Sequence, residues 1–286
     1  QALQAEEAVV VMKSRRGTGL RWARRSDEGD YAHLVEFREV SLSFGAVQAL
    51  GDISFHVDDG ELFAIIGPNG AGKTSTFNCL NGVYKPQGGD ILWKGESVLG
   101  MRPDRIAGLG IARTFQNIEL FAHMTVRENI STGQYVRTKT GALRGALWLG
   151  AAKREEMEVR ARVEDIIELL EIEAWRAYPV GMLPYGVQKR VELGRALAME
   201  PQLLLLDEPV AGMNLEETED MARFILDIQH ELGIAMILVE HDMGLVMDIA
   251  DRVLVLDFGQ VIAQGTPESV QRDPKVIKAY LGEDLD

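Results

Sequence analysis

Apolar and polar residues alternate over 33 to 44 (HLVEFREVSLSF) and 52 to 57 (DISFHV), which predicts two half-buried strands in an antiparallel pair, with GAVQALG turning between them. Residues 61 to 67 (ELFAIIG) are more continuously apolar, as a strand covered on both faces requires. A glycine-rich turn delivers that strand into a helix predicted over about Lys73 to Asn81, and GDILWKG (89 to 95) reads as a further strand. From Thr125 to about Arg195 the period becomes helical: Val159, Val163, Ile166, Ile167 and Leu170 fall on one stripe, and the block reads as a helical insertion. QLLLLDEP (202 to 209), AMILVE (235 to 240) and RVLVLD (252 to 257) then predict three short apolar strands, separated by helical patterns at about 214 to 232 and 243 to 249. Strands alternating with helices imply an α/β fold with a mostly parallel core sheet and helices on its faces, here carrying an antiparallel β edge and a helical subdomain over about 117 to 195.

Composition narrows the picture. A chain of 286 residues holds one large domain or two modest ones and can bury a sizeable core. The formal net charge of −14 argues against nucleic acid as a partner, because that grip needs a concentrated basic surface. The single cysteine, Cys79, excludes an intrachain disulfide and a multi-cysteine metal site, and reads as a small buried hydrophobe. No apolar run approaches the roughly eighteen residues of a membrane-spanning helix. Lys13, Arg15, Arg16, Arg21, Arg24 and Arg25 precede no hydrophobic core, so no secretory signal is expected. Residues 1 to about 32 read as a solvated tail, with contact to anionic headgroups or a partner loop as the alternative.

Chemistry enters with residues 67 to 74, GPNGAGKT, which match GxxxxGK[ST] and sit between a predicted strand and a predicted helix. Gly67, Gly70 and Gly72 let the backbone of Gly67, Pro68, Asn69, Gly70, Ala71 and Gly72 curl so that its N–H groups face phosphates, with the helix dipole behind Lys73, Thr74 and Ser75. Lys73 bridges the outer phosphates in this reading, and the Thr74 hydroxyl ligates Mg²⁺. A phosphate turn also needs a carboxylate at a neighbouring strand end. LLLLDEP offers Asp207 for the metal and Glu208 to orient or deprotonate the attacking water, two tasks that one carboxylate can hardly combine.

Taken in order, GPNGAGKT, TFQN (114 to 117), LPYGVQKR (183 to 190), LLLLDEP, AGMN (211 to 214) and VEHD (239 to 242) resemble the motif set of ATP-binding cassette (ABC) ATPases, over about residues 33 to 283. RTFQNIELFAHMTVREN, LPYGVQKR, AGMNLEET and AYLGE are further similar to the ATPase subunits of bacterial branched-chain (hydrophobic) amino acid importers. The resemblance implies ATP and Mg²⁺ as cofactors. It casts Phe44 as the aromatic that stacks on adenine, Gln116 as the glutamine touching Mg²⁺ and the attacking water, and His241 as the switch histidine on the γ-phosphate. It further implies a second ATPase subunit, identical or paralogous, whose ATP is covered by Tyr185, Gly186 and Val187 acting in trans. Transmembrane permease subunits, an extracytoplasmic solute-binding protein and a peripheral place on the cytoplasmic face of the inner membrane complete the implied assembly.

The alternatives are an ABC exporter ATPase, a soluble ABC ATPase of DNA repair or translation, and a clamp that binds ATP without cutting it. The second lacks the expected paired cassettes, coiled coils, metal-binding cysteines or basic surface, and Glu208 with His241 argues against the third. Two motifs depart from the family pattern. Where LSGGQ is common, Pro184 replaces the serine and Val187 the glutamine, and Asn214 stands where many relatives carry aspartate. A lost hydrogen bond to a charged phosphate is worth about 1.5–3 kcal/mol. The two ATP sites of an assembled transporter are therefore expected to turn over unequally; equal single-site rates in a trapped-nucleotide assay would contradict this.

Overall fold

The computed structural model describes residues 31–114, 116, 118–136 and 150–281. The first thirty residues of the expected tail, Phe115 and Asn117 of TFQN, and Gly282 and Glu283 of AYLGE lie outside them. Strands β1 (Val35–Phe44) and β2 (Val47–Val57) pair antiparallel from Val35↔Val57 to Phe44↔Val47. The connection is thus only Gly45 and Ala46, shorter than GAVQALG. Gly45 takes the positive φ of 60° that so tight a turn needs, and Val47, Gln48 and Leu50 pair with β1, Leu50 being buried.

Strand β3 (Leu62–Ile66) runs fully buried into the phosphate turn, and α1 (Lys73–Leu80) leaves it. Strands β4 (Gly88–Trp93) and β5 (Glu96–Ser97) extend the first hairpin into a four-stranded antiparallel sheet of order β2-β1-β4-β5. After α2 (Pro103–Gly108), strand β6 (Ile111–Arg113) joins the core sheet. The helical stretch expected from Thr125 resolves into separate pieces: α3 (Val126–Thr132), α4 (Gly150–Leu169) and α5 (Tyr185–Leu197), with short 3-10 turns between. Thr125 and Glu128 close a reciprocal capping box on α3, which fixes where that helix begins. The predicted stripe packs inward, with Val163, Ile166, Ile167 and Leu170 buried.

Strand β7 (Leu203–Asp207), α6 (Leu215–Leu232), β8 (Ala235–Val239), α7 (Met243–Ile249), β9 (Arg252–Asp257) and β10 (Gln260–Gly265) follow, then α8 (Pro267–Gln271) and α9 (Pro274–Leu281). The core sheet has the order β10-β9-β3-β8-β7-β6, parallel throughout except for β10 on β9. The antiparallel hairpin expected at the edge of the core sheet instead belongs to a separate sheet, and the antiparallel margin of the core sheet is β10, for which no strand was expected. The separate sheet and α1 share one apolar cluster with a face of β3, β7 and β8; α3 to α7 share another with the opposite face. Among the described residues, no helix is long and apolar enough to cross a membrane.

The first residue after α3, Gly133, lies against α5 so closely that a Cβ there would meet the Arg195 carbonyl oxygen at 2.2 Å and the Ala198 Cβ at 3.0 Å. Gly133→Ala must prise α5 from α3 and is expected to lower the unfolding free energy by about 1–3 kcal/mol in urea titrations. Gly108→Ala, at the end of α2 with nothing within 4 Å of the added Cβ, should stay within about 1 kcal/mol of the parent.

Candidate functional site

The phosphate turn is shaped by contacts that leave no room for side chains. A Cβ on Gly67 would lie 2.0 Å from the Leu256 carbonyl oxygen, and one on Gly72 would lie 2.8 Å from that of Ala49. Both glycines sit at positive φ, 149° and 106°. The β9–β10 hairpin braces the turn from behind: the Gly259 N–H donates to the Ala71 carbonyl at 3.0 Å, and the Gly51 N–H donates to the Gly259 carbonyl at 2.7 Å. No side chain caps the start of α1, which leaves its first-turn N–H groups to an anion. Asn69, Gly70 and Thr74 are exposed, while Pro68 and Ser75 are half-buried.

Lys73 lies buried beneath this turn. Its ammonium donates to the carbonyls of Gly67 at 2.6 Å and Pro68 at 3.1 Å. Burial holds it below the usual lysine range, with the charges of Glu208, Asp207 and Glu240 pulling the other way. It is a cation folded back on its own loop and poorly hydrated, and a phosphate oxygen can replace both carbonyls.

Asp207 ends β7 and Glu208 follows it. The Arg113 guanidinium donates to Asp207 Oδ2 at 2.6 Å and to Asn78 Oδ1 at 2.7 Å, and both charged side chains of the pair are nearly buried. One carboxylate oxygen of Asp207 is thereby committed to Arg113, and Oδ1 lies outside that pair. Glu208 adopts a left-handed backbone, φ 47°, in which its N–H donates to the Val239 carbonyl at 2.9 Å. Such a conformation costs on the order of 1–3 kcal/mol and turns the side chain away from the strand line. Gln116 Nε2 donates to Glu208 Oε2 at 2.7 Å, and the Gln116 backbone carbonyl accepts from Lys189 Nζ of α5 at 2.8 Å. Gln116 is thus tied both to the acid and to the helical block.

His241 is exposed just beyond β8, its Nδ1 lying 3.6 Å from Oε2 of the fully buried Glu240. At the start of α5, Pro184 occupies the cap without a capping side chain, so that helix too presents bare N–H groups. Tyr185 is exposed and donates its hydroxyl to the Ala211 carbonyl at 3.1 Å. Gly186 is pressed against Glu217, where a Cβ would approach Oε1 to 2.7 Å. Val187 is partly buried against the core. Asn214 caps α6 in a reciprocal box with Glu217, at 3.0 and 3.1 Å. An amide serves that task as well as the aspartate of many relatives would. Phe44, 49% exposed, ends β1 and stands edge-on to Tyr84 at 5.1 Å; its hairpin runs back through Ala49 to the phosphate turn.

Sequence reasoning passed over Arg113, Lys189 and Glu240. A charge closing a short apolar strand, as in IAR or AMILVE, was the available signal for the first and last. Thr74, Oδ1 of Asp207 and the Gln116 carboxamide offer only oxygen ligands, a donor chemistry that suits Mg²⁺. One other trio among the described residues could face a metal, His33, His56 and Asp58, at the far end of β3. There Arg252 donates to His56 Nε2 at 2.9 Å, which puts the ring proton on Nδ1 and leaves that ring no lone pair for an ion.

A fully buried parallel strand, a glycine turn with a desolvated lysine, and an acid pair at the next strand but one define a P-loop nucleoside triphosphatase. A family model described as ABC transporter matches residues 50–211, and one described as branched-chain amino acid ATP-binding cassette transporter matches residues 260–286. The chain belongs to the ABC transporter family, as one of its ATP-hydrolysing cassettes. It is similar to the high-affinity branched-chain amino acid transport ATP-binding protein BraF of Pseudomonas aeruginosa, at 39% identity over 87% of this chain and 98% of the relative. The corresponding protein LivG of Escherichia coli is 38% identical over the same shares. A solved ATP-binding cassette of an ABC transporter in its ADP conformation superposes with a TM-score of 0.76 at 30% identity, covering 87% of this chain and 99% of that one.

The buried Arg113–Asp207 pair makes a quantitative prediction. Arg113→Met strands a carboxylate and is expected to lower the unfolding free energy by about 3–5 kcal/mol at pH 7. Pairing it with Asp207→Asn should recover most of that loss in the same denaturation assay.

Proposed function

We propose that this cassette is the motor subunit of a bacterial importer for branched-chain or other hydrophobic amino acids, or for related small carboxylate solutes. The observation that carries the reading is the end-to-end likeness to BraF and LivG, which spans nearly their whole length and extends to the matched C-terminal residues 260–286. Two cassettes close on ATP and reopen after hydrolysis, and the movement passes to permease subunits. An extracytoplasmic solute-binding protein supplies the cargo, and the motor works on the cytoplasmic face of the inner membrane. Within the cassette domain, residues 33 to 283, the block from about 117 to 195 acts as the helical subdomain that carries the motion. The tie from Lys189 to Gln116 supports that role.

In this reading the turn from Gly67 to Ser75 binds the phosphates, and Lys73 exchanges its two carbonyl partners for phosphate oxygens. Phe44 stacks on the adenine. Thr74, Asp207 and Gln116 would hold Mg²⁺, which supplies charge neutralisation on the β- and γ-phosphates when bound. Glu208 leaves Gln116 and accepts a proton from the attacking water, while His241 steadies the γ-phosphate. Tyr185, Gly186 and Val187 complete the nucleotide site of the second subunit. There the uncapped start of α5 offers backbone N–H groups where the missing serine would have stood.

Glu208→Gln keeps shape and loses the base. Turnover by the complex purified with its permease is expected to fall at least about 100-fold, while the Kd for Mg-ATP stays within about threefold. Retained turnover would remove Glu208 from the mechanism.

A further inference from the structure

Glu240 is completely buried at the end of β8, and nothing in the proposed reaction uses it. Its two carboxylate oxygens serve two different loops. Oε1 accepts from the Val210 N–H at 3.2 Å, two residues beyond Glu208. Oε2 accepts from the His241 N–H at 3.0 Å and, more weakly, from the Asp242 N–H at 3.5 Å. The adjoining main chain makes a parallel link, the Glu208 N–H on the Val239 carbonyl at 2.9 Å. The carboxylate thus bridges the segment that carries the base and the segment that carries the histidine.

A buried charge is retained against its desolvation only where donors compensate it, and here the donors are backbone groups of loops that must stay in register. Burial raises the carboxyl's pKa, and these N–H groups act in the opposite direction. Lys73 feels the same charge from the phosphate side.

We propose that Glu240 is a positioning residue for ATP hydrolysis, its two oxygens holding the Glu208 and His241 loops at a fixed separation so that base and histidine close on the same phosphate. The proposal rests on the roles given above to those two residues. Both contacts require acceptors. Glu240→Gln preserves volume but turns one end into an amide that faces a backbone N–H, so one of the two loops must be released. Because neither loop contact touches the nucleotide, binding and turnover should separate.

The test uses the full chain in complex with its permease subunits and four proteins: parent, E240Q, H241A and the double variant. The expected result is a kcat at least about tenfold lower in E240Q, with the Kd for Mg-ATP within about threefold of the parent. In the H241A background, where one of the two groups held at that separation is already gone, adding E240Q should cost clearly less than it does in the parent. A kcat within twofold of the parent overturns the proposal, as does a double variant whose loss is the product of the two single losses. Should E240Q not fold, Glu240→Asp, with both acceptors on a shorter arm, is expected to give the same split. Failure of both variants to fold assigns the residue to the core alone and also overturns it. Turnover by the parent and its loss in E208Q report separately on the reaction itself, so a fault in that reading is distinguishable from a fault in the role of Glu240.

Discussion

The parallel register of three strands sets the geometry of the phosphate site. Ile65 of β3 lies opposite Val239 of β8, and Val239 lies opposite Asp207 of β7. Three segments of the chain therefore leave the sheet at one edge and at one level, delivering the glycine turn, the loop of Glu240 and His241, and the pair Asp207–Glu208. Open α/β sheets place ligands at the carboxyl ends of their strands for this reason. A one-residue slip of β7 that drew Glu208 into the register of Asp207 would carry the Asp207 carboxylate into the buried place of Leu206.

Around that edge the chain concentrates arrangements that are unfavourable elsewhere. Lys73 is desolvated against carbonyls, Glu240 is buried among backbone donors, Asp207 is paired with Arg113 out of water, and Glu208 holds a left-handed backbone. Each is tolerated because β3, β7 and β8 are buried on both faces and cannot relax. The same rigidity pre-aims polar groups at a phosphate. The helical block is tied to this centre through Lys189 on the Gln116 carbonyl, so a displacement of α5 is felt beside Glu208.

Much of this was legible in the sequence. The apolar run LFAII announced a doubly covered strand, LLLLD and AMILV announced further short apolar strands, and GPNGAGKT between a strand and a helix announced phosphate binding. What escaped was short or tertiary in origin. The three residues of β6 are too few for a periodic signal, and the half-exposed β10 looks like a surface segment until β9 lies beside it. The turn between β1 and β2 was overestimated because Val47 and Gln48 are exposed, although their backbone pairs with β1. Arg113, Lys189 and Glu240 acquire their places only when distant segments meet. Asn214, read as a departure from the family, proves to be a helix cap whose local bonding an amide satisfies.

The account stands on the glycine turn and Lys73 gripping a phosphate chain. Calorimetric titration of the parent and of Lys73→Met with Mg-ATP and with adenosine tests this most directly. Loss of two charge-assisted hydrogen bonds should weaken Mg-ATP by about 100-fold or more and leave adenosine within about threefold. Equal affinity of both proteins for Mg-ATP would contradict the account.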